Sequence, residues 1–65
     1  WITGRIKANL VANEDLDANL IRVITENGTV YLMGLVTRQQ ANEATGAASG
    51  VGGVQRIVKV FEYLD

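Results

Sequence analysis

The chain has 65 residues, 48% of them hydrophobic and 20% charged, a composition typical of a globular protein with one modest core and no deep catalytic cleft. Because it contains neither His nor Cys, it lacks the commonest general base, the usual thiol nucleophile and the main ligands of zinc, so we predict a protein that is not an enzyme and holds no metal or cofactor. Six basic and seven acidic residues give a net charge of −1, which provides no overall field to attract nucleic acid, so any electrostatic targeting must come from a local patch.

The first predicted element is a helix over residues 2–12. Ile2, Ile6 and Leu10 recur at every fourth position, so they lie on one stripe that we expect to face the core. The polar residues 13–15 end this helix. Glu14, Asp15 and Asp17 form a small acidic cluster that lacks the spacing and the central Gly of an EF-hand loop, and we assign it no metal.

A β-hairpin is predicted next. Asn27-Gly28 stands between two β-rich runs, Leu20–Glu26 and Thr29–Val36, and supplies the positive φ angles of a type I′ turn. A two-residue turn fixes the register, so Glu26 is expected to oppose Thr29 at the tip of the hairpin.

This register divides the hairpin into two faces. One face carries Ile21, Val23, Val30 and Leu32. The other carries Leu20, Arg22, Ile24, Tyr31, Met33 and Leu35. The second face is more apolar than a plain solvent face should be, which makes it a candidate surface for protein contact.

A second helix is predicted after the hairpin. Thr37 and Gln40 have the spacing of a capping box, and residues 39–49 are rich in Ala. The predicted inner face consists of small residues, Ala41, Ala44, Ala48 and Val51. The glycines at 50, 52 and 53 follow a helix and lead into a strand, the reverse of the order in a phosphate loop, so we interpret them as a turn.

Residues 54–64 alternate well enough to predict a third strand. One face of it carries Ile57, Phe61 and Tyr63, the other carries Val58 and Val60, and the pattern leaves open which face meets the helices. The predicted fold class is therefore α/β, as an α+β sandwich of order α-β-β-α-β in which two helices pack on a three-stranded mixed sheet. We expect residues 1–65 to form a single domain.

No apolar run approaches the ~20 residues needed to cross a bilayer. The chain begins with Trp1 and shows no signal peptide or lipidation motif, from which we expect a domain excised from a longer protein.

Several segments together carry a resemblance to a known family. They are the run Val30-Tyr31-Leu32-Met33-Gly34-Leu35-Val36-Thr37, the Ala-rich helix and the run Gly53-Val54-Gln55-Arg56-Ile57-Val58. Together with the α-β-β-α-β order they make nearly the whole chain resemble a BON domain. Trp1-Ile2-Thr3 and the hairpin Thr25-Glu26-Asn27-Gly28 look most like the second BON domain of dual-BON outer-membrane lipoproteins.

This resemblance implies a lipoprotein that sits in the periplasm of Gram-negative bacteria, is anchored to the outer membrane and supports envelope integrity. In that group the first helix of the second domain contacts phospholipid, which carries this role onto Trp1 and its outward neighbours. Gly4 departs from the expected pattern because a glycine weakens a helix interior by about 0.5–1 kcal/mol relative to Ala.

The residues of the first helix support a membrane-surface site in their own right. Roughly opposite the core stripe lie Trp1, Gly4, Ala8 and Val11, with Arg5 close by and Lys7 on the flank. Indole rings settle at the headgroup level of a bilayer, and Arg and Lys meet phosphates. We therefore predict that an anionic phospholipid membrane is the partner. The plainer reading is a Trp that covers the edge of a small core beside two solvated cations.

The alternative function is a protein-interaction module of the cell envelope. It would use Ile24, Tyr31, Met33 and Leu35, or an exposed strand edge, to bind a neighbouring BON domain or another envelope protein. A third possibility is ligand sensing by a BON domain in a different compartment, such as the cytoplasm.

Overall fold

The computed structural model describes all of residues 1–65. It contains the predicted elements in the predicted α-β-β-α-β order, with one additional short 3-10 helix at Ala18–Leu20. The helices and strands are α1 (Ile2–Ala12), β1 (Arg22–Glu26), β2 (Thr29–Val36), α2 (Arg38–Ser49) and β3 (Arg56–Tyr63). The fold is therefore α+β, as predicted.

The three strands form one mixed sheet in the order β1-β2-β3. β1 and β2 are antiparallel, and the predicted pairing of Glu26 with Thr29 is confirmed. The φ angles of Asn27 and Gly28 are 50° and 79°, both positive as a type I′ turn requires. β3 runs parallel to β2, so α2 forms the crossover that joins them.

The start of β1 differs from the prediction. The strand was expected to begin at Leu20 but begins at Arg22, and Leu20 is the last residue of the 3-10 helix instead of a member of the sheet face. The cause is a local polar turn, in which the Asp17 side chain accepts a hydrogen bond of 2.9 Å from the Asn19 amide. Within this turn the Leu20 amide donates to the Asp17 carbonyl, and the Ile21 amide donates to the Ala18 carbonyl.

Both helices cover the same face of the sheet. The buried residues of that face come from all parts of the chain: Ile6, Leu10, Leu16, Ile21, Val23, Val30, Leu32, Val36, Ala41, Ala44, Ala48 and Val51. Ile57 and Phe61 pack against this core, which settles the orientation that the pattern of β3 left open. Val58 and Val60 consequently lie on the open face of the sheet.

Side-chain hydrogen bonds join α1 to β1 and to α2, and they also cap the start of α2. The Thr3 hydroxyl donates to the Thr25 hydroxyl over 2.8 Å and joins α1 to β1. The predicted capping box begins α2, since the Gln40 amide donates to the Thr37 hydroxyl and the Thr37 amide donates to the Gln40 side chain. The Asn9 side chain donates to the Ala47 carbonyl over 3.0 Å and holds α1 beside α2. α1 is therefore held on two sides.

Candidate functional site

The outward side of α1 displays an apolar strip to solvent. We call Trp1, Gly4, Ala8 and Val11 the outer strip; all four are exposed. Trp1 is 87% exposed and Val11 is 72% exposed, although large apolar side chains are usually buried. Ile6 and Leu10 lie on the opposite side and are fully buried. The strip therefore has no role in the core of this chain.

Gly4 does not interrupt α1, which continues from Ile2 to Ala12. A Cβ at this position would meet no other atom within 4 Å, so the glycine is not required by packing. The glycine is therefore accommodated within a continuous helix. Neither helix of the chain has the length and apolar character needed to span a membrane.

Two cations flank the outer strip. At about 100° per residue, Arg5 and Lys7 lie on opposite sides of the strip, and both side chains are exposed. Neither takes part in an ion pair, since the single ion pair of the chain joins Arg38 to Asp65 over 3.9 Å. α1 contains no acidic residue. Both charges are consequently available to an external anion.

Trp1 and Arg5 form a unit at the start of the helix. The guanidinium carbon of Arg5 lies 4.7 Å from the centroid of the Trp1 ring, a cation–π contact. The Arg5 amide also donates to the Trp1 carbonyl over 3.1 Å. The cation and the indole are therefore presented together on one surface.

Two hollows border α1, one on each side of the strip. The larger, which we call the Arg5 hollow, has a volume of about 620 Å³ and lies between α1 and the turn that follows α2. Its α1 wall includes Trp1, Arg5 and Asn9, and residues 50–52 form the opposite wall.

The smaller cavity, the Lys7 hollow, has a volume of about 280 Å³. Lys7 and Val11 contribute from α1, and Ala18, Asn19 and Ile21 contribute from the segment before β1. The structure therefore divides the predicted site residues: Trp1, Gly4, Arg5 and Ala8 border one hollow, whereas Lys7 and Val11 border the other.

Sequence reasoning missed Asn9 and the 50–52 turn as neighbours of this surface. The periodicity of α1 places Asn9 on its side, away from the outer strip, and the glycines at 50, 52 and 53 were interpreted as a turn with no part in binding. Their proximity depends on α1 packing beside the end of α2, which no pattern within either helix encodes. No sequence signal was available to find it.

The open face of the sheet is the second candidate surface. Ile24 and Leu35 are exposed, and Tyr31 and Met33 are half-buried by their strand neighbours. β3 adds Val58 and Val60 to the same face, so the apolar surface crosses all three strands. This apolar surface is wider than the one predicted from the hairpin alone, because it also includes β3.

Comparison with known proteins gives a consistent result. The BON domain family matches residues 1–65. The chain is 43% identical over its full length to an outer membrane lipoprotein, DolP, of Haemophilus influenzae, of which it covers 34%. It is also 44% identical, over 98% of its length, to a 21 kDa hemolysin of Actinobacillus pleuropneumoniae, of which it covers 33%. The chain thus spans about one third of the length of each relative.

Proposed function

The chain belongs to the BON domain family, and we propose that it is a non-enzymatic module that binds the anionic phospholipid surface of a membrane through α1. The observation that carries this proposal is the outer strip, an apolar surface with an unpaired cation on each side and no anion on the helix. Apolar contact with the interfacial region and electrostatic attraction to phosphates then act from the same surface.

The proposed contact is shallow. Because Ile6 and Leu10 hold the inner side of α1 in the core, only the outer side of the helix is available to enter the headgroup region. Trp1 and Val11 would reach deepest, with Arg5 and Lys7 at phosphate level. Each cation contributes about 1 kcal/mol near an anionic surface, so the affinity of one domain should be weak and should fall with added salt.

One of the relatives supports a location of this chain in the cell envelope. It is an outer membrane lipoprotein that matches the whole chain over about one third of its own length. We propose that residues 1–65 act as one BON domain of a longer periplasmic lipoprotein that supports outer-membrane integrity. A neighbouring domain on the same lipoprotein would raise the effective concentration at the membrane.

Replacing Trp1 with Ala tests the apolar half of the proposal. Burying a large apolar side chain is worth about 1.5–3 kcal/mol, so partial burial of the indole predicts roughly a tenfold loss of affinity for anionic vesicles. Sedimentation of the domain with vesicles measures this loss. Leu64→Ala is the matched control, because Leu64 is also exposed, at 62%, but lies beyond β3.

Circular dichroism should show that the Trp1→Ala variant remains folded, because Trp1 is 87% exposed. Unchanged vesicle binding by Trp1→Ala, or an equal loss in the Leu64→Ala control, would contradict a role for the outer strip.

The open face of the sheet supports a second candidate function, the binding of a neighbouring BON domain or an envelope protein. The observation that favours it is the exposure of Leu35 and Val60, each 52% exposed on a face that no helix covers. A photo-crosslinker placed at Leu35 in the longer protein should then form a protein adduct that Met33→Glu abolishes. The control position is Gln39, an exposed residue of α2.

Two results would exclude this second candidate. They are the absence of any protein adduct from Leu35, and the formation of the same adduct from Gln39. Met33→Glu should leave vesicle binding unchanged, because Met33 belongs to the sheet and not to the surface of α1.

A further inference from the structure

β3 leaves one edge of the sheet without a neighbouring strand. In the order β1-β2-β3 it pairs only with β2, and this pairing runs from Arg56 to Tyr63 without a bulge. Natural proteins usually protect a free edge with a bulge, a proline or several charges, because unpaired N–H and C=O groups bind other strands. The chain contains no Pro. The edge of β3 is therefore open to a further strand.

The unpaired backbone groups of β3 belong to every second residue. The amides of Arg56 and Leu64 donate to the carbonyl groups of Gly28 and Val36, on the β2 side. Because backbone groups alternate in direction along a strand, even-numbered residues of β3 point their N–H and C=O groups towards β2, and odd-numbered residues point them away. The outward residues are Ile57, Lys59, Phe61 and Tyr63, of which only Lys59 is charged.

The other edge of the sheet offers less. β1 is five residues long, and its pairing with β2 leaves only the backbone groups of Val23 and Thr25 facing outward. The Thr25 hydroxyl also accepts a hydrogen bond from Thr3 of α1. β3 is therefore the edge at which another strand can add with a full set of hydrogen bonds.

The sequence of β3 suits an antiparallel partner of its own kind. A two-fold axis at Val60 sets Lys59 opposite Phe61 of the second copy, and Ile57 opposite Tyr63. This pairing satisfies the N–H and C=O groups of all four outward residues. The ammonium group of Lys59 then lies beside an aromatic ring and not beside another cation.

The charges select this register over its neighbours. With the axis at Val60, Glu62 lies diagonally beside Arg56 of the second copy, an attractive arrangement. Moving the axis to Lys59 would set two ammonium groups opposite each other, which is destabilising. Moving it to Phe61 would shorten the paired segment. The axis at Val60 therefore combines the longest pairing with complementary charges.

We propose that two copies of this domain associate through the edges of β3, as antiparallel strands about a two-fold axis at Val60. The two sheets then form one continuous sheet. α1 is joined to β1, at the opposite edge of each sheet, so the pairing leaves both outer strips uncovered. A pair of domains consequently presents two α1 surfaces.

Disulfide formation tests the pairing, because the chain contains no Cys of its own. The two copies of Val60 would form a non-hydrogen-bonded pair with Cα atoms about 4.5 Å apart, within the range of about 4.4–6.8 Å that a disulfide accepts. Val60→Cys should therefore form a covalent dimer under mild oxidation. Leu35→Cys is the matched control, because Leu35 lies in β2 on the same face and is also 52% exposed.

The Val60→Cys dimer should form about tenfold faster than the Leu35→Cys dimer, or more, since pairing holds the two thiols at an effective concentration in the millimolar range. Non-reducing gel electrophoresis of the oxidised domain at micromolar concentration measures both rates. Equal rates would show that the thiols meet by random collision and would overturn the proposal. Because no lipid is present, such a failure leaves the membrane function standing.

Adding Lys59→Pro to the Val60→Cys variant tests whether the backbone edge makes the contact. The Lys59 amide points away from β2, so Pro removes no hydrogen bond within the domain, but it removes a donor from each side of the pair. Dimer formation should slow by about tenfold. Lys59→Thr, which removes the charge and keeps the amide, should leave the rate almost unchanged.

Circular dichroism should show that the Lys59→Pro variant remains folded. Dimer formation at full rate by this folded variant would place the contact away from the β3 edge and contradict the proposal. If Lys59→Pro lowers the melting temperature, the comparison of Val60→Cys with Leu35→Cys still decides the question, since neither variant changes the backbone of β3.

Discussion

Reversing both cations of α1, with Arg5→Glu and Lys7→Glu together, should abolish association with anionic vesicles. Each cation contributes about 1 kcal/mol of attraction near such a surface, and reversal replaces this attraction with a similar repulsion. The two changes together remove roughly 4 kcal/mol, which corresponds to about a thousandfold loss of affinity. Vesicle sedimentation and surface plasmon resonance on supported bilayers both measure it.

A matched double reversal elsewhere on the chain controls for net charge. Arg22→Glu with Lys59→Glu changes one Arg and one Lys at exposed positions of the sheet, so both double variants have the same net charge. Only the α1 variant should lose binding completely. Equal losses in the two variants would mean that the membrane responds to overall charge and that α1 is not the contact surface.

Substituting Ala for Gly34 should have the largest effect on folding. Gly34 has a φ angle of +155°, and an added Cβ would collide with the carbonyl oxygen of Leu20. Because this oxygen belongs to the backbone, no side-chain rotation relieves the contact. We expect a loss of about 2–4 kcal/mol out of a total stability of roughly 3–10 kcal/mol for a domain of this size.

Thermal unfolding followed by circular dichroism measures this loss of stability. We expect the Gly34→Ala variant to melt about 10 °C or more below the unmodified domain. Gly46→Ala is the control, because its Cβ would have open space within α2. Ala in place of an interior helical Gly stabilises a helix by about 0.5–1 kcal/mol, so the control should melt at a higher temperature. A Gly34→Ala variant as stable as the unmodified domain would contradict the close approach of Leu20 to β2.

The parts of the fold that sequence predicted correctly have local causes. Asn27-Gly28 demands positive φ at two consecutive residues, and this alone fixed the hairpin and its register. The capping box of Thr37 and Gln40 fixed the start of α2 in the same way. The turn and the capping box can be predicted from sequence because their interacting groups lie within a few residues of each other.

The parts that sequence did not predict depend on distant contacts or on a weak local turn. Leu20 belongs to the 3-10 helix at Ala18–Leu20 and not to β1, because the Asp17 side chain accepts a hydrogen bond from the Asn19 amide and stabilises a turn there. The β-rich pattern showed no sign of this turn. The Arg5 hollow required the packing of α1 beside α2, which brings Asn9 next to Ala47 across 38 positions in the chain. Periodicity within one element carries no information about such neighbours.

The most direct test of the account is a chemical-shift titration of the isotopically labelled domain with anionic phospholipid nanodiscs. A zwitterionic nanodisc and a repeat at high salt serve as controls. We predict shift changes and line broadening concentrated in residues 1–12 and the 50–52 turn, present with the anionic lipid and reduced by salt. Changes centred instead on Ile24, Tyr31 and Met33, or no change at all, would contradict membrane binding through α1.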